Sequence, residues 1–510
     1  MSDIPDRGIT VTELAPMDQP IDASLDSTAA FVGRALRGPL DTPVLVRNFA
    51  EFRRRFGGFW PGSSLGSAVD LFFRHGGEQA YVVRVANNAR GAMICLPASK
   101  GVLVLRAIEP GSAEHIRAAV DYDGIDVDNE ELFNLTLQRV APDTGLVLDQ
   151  EIYRRLSCER DGDRPVDEVL LTSSLVRAQT PLPGRRPKST DAEYVEPAQT
   201  GTDGLALSDY DLIGSASRCT GIFALDQVEK FDLLYLPPPE LKRVPGPAAV
   251  LAAELYCRKR GAMLILDPAA GWHTAEDAIQ GVRKSGFANP DVITYFPRLR
   301  PRSDETAAPL AAGGAIAGLL CKLDRTRGPW EDLDQHGFAF NRDLVPAANV
   351  NADDAHLLVR EGVNVIAGMT PGHSMICGSV TLAHSTQSGS EMGSLTARRL
   401  CLKITNAIDR ATRWAVFEPV GREFGERLVS QVHAFMCALS DAGAFENDHF
   451  LVQCDAGSRR KPLDPERGIT ILLAFQPAGL TATISLTLHQ SASGCRVATT
   501  AFAPVRAEVA

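Results

Sequence analysis

Leu233-Leu-Tyr-Leu-Pro237, Met263-Leu-Ile-Leu-Asp-Pro268 and Val292-Ile-Thr-Tyr-Phe-Pro297 are three short apolar runs, each closed by a proline. Each is too short for a helix and apolar on both faces, as a strand buried in the middle of a parallel sheet must be. The intervening residues 247–260 and 274–285 carry helical spacing. Strand, helix, strand, helix, strand at this interval predicts an α/β layer with helices covering both faces of a parallel sheet.

Upstream, Ala29-Ala-Phe-Val32 and Ala80-Tyr-Val-Val-Arg-Val85 read as two more strands. Leu65, Val69, Phe72 and Phe73 mark a helix over 65–74. Residues 28–100 and 203–390 are therefore expected to form one central α/β domain. Between them, 101–202 changes texture. Short runs such as Val102-Leu-Val-Leu105 and Phe133-Asn-Leu-Thr-Leu137 alternate with turns, which predicts a β-rich insertion domain. Its last stretch, Thr180 to Thr202, is rich in Pro and Arg and reads as a mobile loop.

Downstream, 391–490 is expected to be an α+β domain. Leu400, Ile404, Ile408 and Ala411 share one helical face behind a Ser394 N-cap, and Phe424, Leu428, Val432, Phe435 and Leu439 share another. Trp414-Ala-Val-Phe417 and Phe450-Leu-Val-Gln-Cys454 read as strands. Leu480, Ala482, Ile484, Leu486 and Leu488 alternate with Thr481, Thr483, Ser485 and Thr487, the period-two signature of a half-buried strand. Residues 491–510 form a tail. The fold class is thus α/β and α+β, multidomain, with extended terminal arms.

The N-terminal arm, 1–27, holds a single β-branched run, Ile9-Thr-Val-Thr-Glu-Leu14, between Pro5 and Pro16. A polar linker, Ala15 to Asp26, follows it. A lone strand on a tether is not stable alone and must pair with a sheet edge.

The chain has 510 residues, with 52 Lys plus Arg against 63 Asp plus Glu and a net charge of −11. That balance argues against a general nucleic-acid binder, which needs a basic footprint. The first residues carry no basic region ahead of an apolar core, so no signal peptide is expected and synthesis in the cytoplasm is. The most apolar window, Ala307 to Cys321, is broken by Pro309, Gly313, Gly314 and Gly318, and direct membrane insertion is not expected. Ten cysteines are scattered without a CxxC pair and read as reduced, structural residues.

Gly62-Ser-Ser-Leu-Gly66 matches the GxSxG nucleophile elbow, and His75-Gly-Gly77 is similar to an oxyanion loop. The elbow requires a core strand just before the serine, but Phe56-Gly-Gly-Phe-Trp-Pro61 is a loop. A glycine- and serine-rich helix start is the simpler reading. The ten histidines show no metal spacing, and neither a Walker A loop nor GxGxxG occurs, so no catalytic residue, metal or cofactor is expected.

Several stretches, in order along the chain, resemble the sheath proteins of contractile phage-type tails, a family shared by myophages, R-type bacteriocins and related contractile injection systems. They begin with Gly8-Ile-Thr-Val-Thr-Glu13, Ser27-Thr-Ala-Ala-Phe-Val-Gly-Arg34, Arg37-Gly-Pro39, Phe49-Ala-Glu-Phe52 and Phe56-Gly-Gly58. They continue with Phe72-Phe-Arg-His-Gly-Gly77, Gly204-Leu-Ala-Leu-Ser-Asp-Tyr-Asp211, Gly328-Pro-Trp330, Gly362-Val-Asn364 and Ile408-Asp-Arg-Ala-Thr-Arg-Trp-Ala-Val-Phe-Glu-Pro419. The likeness spans roughly 8–100 and 204–490. Asp6-Arg7 replaces the usual proline before Gly8, and 101–200 matches only loosely.

The resemblance implies a non-enzymatic subunit of a helical homopolymer that assembles around an inner tail tube protein and contracts to drive the tube through an envelope. It implies baseplate and tail terminator proteins as further partners, and a place in a virion tail or tail-like particle. It also implies a subtilisin-like shape for the central domain. The terminal strands would be donated between subunits, here Ile9, Thr10, Val11, Thr12, Glu13 and Leu14 at one end and Leu480, Ala482, Ile484, Leu486 and Leu488 at the other. The linker Ala15–Asp26 would be the hinge, and the helices at 395–411 and 423–441 are candidates to face the tube. An α/β hydrolase using Ser64 and a different assembling protein, such as a capsid or a non-contractile tube, remain as alternatives.

Overall fold

The computed structural model describes residues 20–141, 144–159, 162–240, 243–335, 339–370, 373–384, 393–414, 422–455, 468–491 and 494–502. The arm strand Ile9–Leu14 lies outside them, as do three of the four residues of the run 414–417. Trp414 itself closes a helix end.

The chain opens with β1 (Ala29–Gly33), β2 (Val44–Val46), α1 (Phe49–Phe56), α2 (Leu65–Arg74) and β3 (Ala80–Arg84). It then leaves the central layer for β4 (Met93–Pro97), β5 (Val102–Ala107), β6 (His115–Asp121), β7 (Leu132–Val140), β8 (Val147–Ser157), α3 (Val166–Val169) and β9 (Val176–Ala178). It returns through α4 (Asp209–Ile213), β10 (Leu233–Tyr235), α5 (Pro247–Arg260), β11 (Met263–Leu266), α6 (Ala275–Ser285) and β12 (Val292–Phe296). A small hairpin of β13 (Leu299–Pro301) and β14 (Leu344–Pro346) brackets α7 (Gly313–Thr326), and α8 (Ala352–Arg360), β15 (Asn364–Thr370) and β16 (His373–Cys377) complete the layer.

The central sheet runs β16-β15-β12-β11-β10-β1-β3-β2. Its six inner strands are parallel, and the edge strands β2 and β16 are antiparallel. Alternation of side chains splits its core in two. Phe31, Tyr235 and Ile265 point toward α1, α2 and α7, where they meet Phe52, Phe72 and Ile316. Ala30, Leu234 and Leu264 point toward α5, α6 and α8, where they meet Val250, Ile279 and Leu358. Gly314 and Gly318 let α7 lie directly against α2, because a Cβ at either would strike the backbone of Ala68 or Phe72.

The insertion folds as two three-stranded antiparallel sheets, β4-β5-β9 and β6-β7-β8, around its own core of Ile94, Leu105, Phe133, Leu135 and Leu156. Its tail, 180–202, is not the mobile loop that its composition suggests. Lys188 donates its amide to the Pro97 carbonyl, Val195 bridges Ala118 and Gln199 bridges Met93. These backbone pairings fix a segment that has no regular strand of its own.

In the C-terminal unit, α9 (Leu395–Thr412) and α10 (Arg422–Asp441) cover the sheet β17 (Leu451–Asp455), β18 (Gly468–Phe475), β19 (Thr483–Ser491) and β20 (Gly494–Phe502). The Ser394 hydroxyl accepts from the Ala397 amide and caps α9. Leu400, Ile404, Phe435, Leu473 and Leu486 form the core between helices and sheet.

Candidate functional site: the Ser64 cleft, the free sheet edges and the seam

The central sheet reverses its winding direction at β1, which lies between β3 and β10. Carboxyl ends of strands beside such a reversal are where open α/β sheets usually bind ligands. Ser64, at the start of α2, lies here with Ser67, Tyr235, Pro238, Arg298 and Leu310.

The chain fills this cleft with its own groups. Tyr235 donates its hydroxyl to the Asp267 carboxylate, and the Gly313 amide at the start of α7 donates to the other oxygen at 3.0 Å. Arg298, on the same cleft wall, donates twice to the Pro268 carbonyl, at 3.1 and 2.8 Å. Burial pushes the Asp267 carboxyl up to about 6, against the hydrogen bond from Tyr235 and the charge of Arg298. The helix terminus that could hold a ligand anion is thus satisfied by a resident carboxylate.

Ser64 is buried, and its hydroxyl donates to the Pro238 carbonyl. His75 sits at the far end of the ten-residue α2, about 15 Å away along the helix. Its Nδ1 bonds the Leu71 carbonyl at 2.7 Å and its Nε2 accepts from the Asn341 amide at 3.1 Å. Both ring nitrogens are therefore engaged in a neutral tautomer, and burial holds the imidazole below its ordinary value. Among the described residues no base is brought to Ser64, whose hydroxyl is bonded only to the Pro238 carbonyl. Among the described residues no group of three or more metal-ligating side chains occurs, and no helix is long and apolar enough to cross a membrane.

The terminal strand anticipated at 480–488 needs correction. Leu480 and Ala482 precede β19, which begins at Thr483. Ile484, Leu486 and Leu488 are paired on both sides, to Phe475, Leu473 and Ile471 of β18 and to Ala501, Thr499 and Val497 of β20. As it stands in this chain, β19 is an interior strand with no edge to give. Among the described residues the open edges of this sheet belong to β17 and β20, where Leu451 and Val497 are about half exposed.

The seam between the C-terminal and central units is made by α9. No residue of Leu395–Thr412 is fully exposed, so α9 has no outward stripe, whereas α10 shows Glu426, Ser430, His433 and Ala434 to solvent. Arg398 reaches the buried Asp291 at 2.6 Å, Arg399 pairs with the buried Asp324, and Asn406 donates to the Gly261 carbonyl at 2.7 Å.

Residues 20–27 lie across the same seam, and here the expectation of a free hinge over Ala15–Asp26 fails for its second half. Ile21 is buried in the C-terminal core, with Ala23 and Leu25 packed beside it. Lys403 donates to the Ser24 carbonyl, Lys230 to the Asp26 carbonyl at 3.0 Å, and Ser27 donates its hydroxyl to Asp324. The Thr28 amide donates to Asp232 at 2.8 Å. Sequence reading missed this segment, yet Ile21-Asp-Ala-Ser-Leu25 alternates apolar and polar residues as a half-buried extended strand does.

No protein-family model matches the sequence, and no curated protein matches it. Solved structures do match in fold. A sheath tail protein from Listeria innocua aligns with a TM-score of 0.62 at 12% identity, covering 95% of this chain and 97% of its own. One from Desulfitobacterium hafniense aligns at 0.56 and 13% identity, over 95% and 100%. The contracted sheath of an extracellular contractile injection system, PVC, aligns at 0.53 and 13% identity, over 94% and 96%. This chain has the fold of those sheath proteins along almost its whole length.

Proposed function

We propose that this chain is the structural subunit of a contractile tail sheath. The observation that carries the reading is the end-to-end fold match to sheath proteins, including one in a contracted assembly. The self-filled Ser64 cleft supports the same reading, because a hydrolase site at that place would need a base and an open pocket. The ordered run of sequence resemblances from Gly8 to Pro419 is an independent support.

In this reading subunits polymerise as a helical sheath around an inner tube protein, between a baseplate and a tail terminator, in a virion tail or tail-like particle assembled in a bacterial cytoplasm. Contraction repacks the interfaces between bodies whose folds stay fixed. The chain acts without catalysis. Its units are the arm 1–27, a central domain of subtilisin-like shape over 28–100 and 203–390, the insertion 101–202, and the C-terminal domain 391–490 with the segment 491–510, of which β20 joins that domain's sheet. The pairing of Met93–Pro97 with β5 supports an insertion that begins at about residue 92.

The strand Ile9–Leu14 would add to an open sheet edge of a neighbouring subunit, main chain to main chain. The edges of β17 and β20 are the candidates to receive it. Deleting residues 1–14 tests this: a folded monomer that forms no tubes agrees with strand donation, and normal tubes refute it.

A further inference from the structure

We infer that Lys403, Lys230 and Asp324 form a clasp that binds residues 21–27 to the body and thereby sets how far the chain ahead of Pro20 can reach. The inference rests on the assembly reading for its consequence, but the clasp itself is a property of the single chain.

Three observations carry it. The segment is extended and two-faced, with Ile21, Ala23, Leu25 and Ser27 turned inward and Asp22, Ser24 and Asp26 turned out. Its inward face enters the core of the C-terminal unit. Its polar groups are then held from two separate units: Lys403 on α9 takes the Ser24 carbonyl, while Lys230, beside β10, takes the Asp26 carbonyl. Asp324 on α7 accepts from Ser27 and pairs with Arg399 on α9.

Lys403 is itself about nine-tenths out of water. An ammonium in that position is costly unless it is hydrogen-bonded, so its bond to a main-chain carbonyl ties the segment's placement to the solvation of a buried charge. Burial and the charge of Lys230 work against its ammonium, while the charges of Asp232, Asp22 and Asp324 favour it.

The consequence is one of length. With residues 21–27 held, the six residues 15–20 limit the reach of the chain beyond them to at most about 20 Å. With the clasp open, residues 15–27 span about 45 Å. The clasp thus restricts the arm strand to sheet edges near its own exit point and excludes more distant ones.

Hydrogen–deuterium exchange of the soluble full-length monomer tests the clasp without any polymer. A peptide covering 20–28 should exchange at least tenfold more slowly than the same sequence as a free synthetic peptide. Lys403→Met should speed that exchange several-fold, Lys403→Arg should leave it close to wild type, and peptides from β18 and β19 should be unchanged in both. Free-peptide exchange in the wild type, or an unaltered rate in Lys403→Met with β18 and β19 intact, would overturn the clasp. Reach is tested separately by removing residues 17–19. That deletion should impair tube formation, and adding Lys403→Met should restore it by releasing chain. Unimpaired tubes from the deletion alone would overturn the length-setting role, whatever the exchange data show.

Discussion

The guanidinium of Arg399 lies against the carboxylate of Asp324 across the seam between α9 and α7, with the two side chains 6% and 1% exposed. Arg399 is the only charge of opposite sign in direct contact with this carboxylate among the ion pairs of the described residues, and Ser27 supplies its other hydrogen bond. Burial alone would raise the Asp324 carboxyl, and Arg399 opposes that rise. A pair so placed costs much to break and less to replace. Asp324→Ala should destabilise the chain by about 3–5 kcal/mol, because Arg399 is left buried and uncompensated. The double variant Asp324→Leu with Arg399→Met should recover most of that loss. Urea unfolding of the three proteins checks this, and equal losses in the single and double variants would contradict it.

Arg84 joins the insertion to the central sheet. It is 1% exposed and donates to the carbonyls of Ala35, Gly38, Leu36 and Pro110 at 3.0, 2.6, 3.3 and 2.7 Å. Arg84→Met leaves these acceptors unpaired, each at a cost of roughly 1–3 kcal/mol. A loss of at least about 3 kcal/mol is expected, with Arg84→Lys only partly better, since a single ammonium cannot span the four positions. Exchange rates in 34–40 and 108–112 should rise in both variants.

Asp267 gives a pH dependence with a definite sign. Its ordinary value is 3.8, and burial raises it to about 6 in the folded chain. The folded state therefore holds the proton more tightly than the unfolded state between these values. Its contribution to stability is fully present below about pH 4 and is lost as pH rises through 6, a swing on the order of 3 kcal/mol. Asp267→Asn should remove that component. The test is the difference between wild-type and variant unfolding free energies from pH 4 to 8, which should shrink as pH rises. A difference that is flat across this range would contradict it.

Ser64→Ala should lose the bond to Pro238 and about 1 kcal/mol of stability. Neither it nor the wild type should hydrolyse a p-nitrophenyl ester above the buffer rate. Serine-dependent turnover would revive the hydrolase alternative.

The middle of the central layer was legible because three of its strands, Leu233–Tyr235, Met263–Leu266 and Val292–Phe296, are short runs apolar on both faces. Helices 65–74 and 247–260 were equally plain, with ends at Arg74 and Arg260. What sequence reading could not show was pairing. The alternation at 480–488 marks a half-buried strand equally well at a sheet edge or in its interior, and only the presence of β18 and β20 on its two sides decides. Composition likewise misled at 180–202, where Pro and Arg suggest a loose loop but the backbone bonds of Lys188 and Val195 are long-range. A charged residue inside the strand Ala80–Arg84 was the one visible sign of the Arg84 junction, and its four acceptors lie in loops that carry no pattern.

The most direct test of the assembly reading is electron microscopy of the concentrated full-length protein, alone and co-expressed with the adjoining tube protein. Long hollow tubes with a regular axial repeat are expected. Monomers under both conditions would contradict the account.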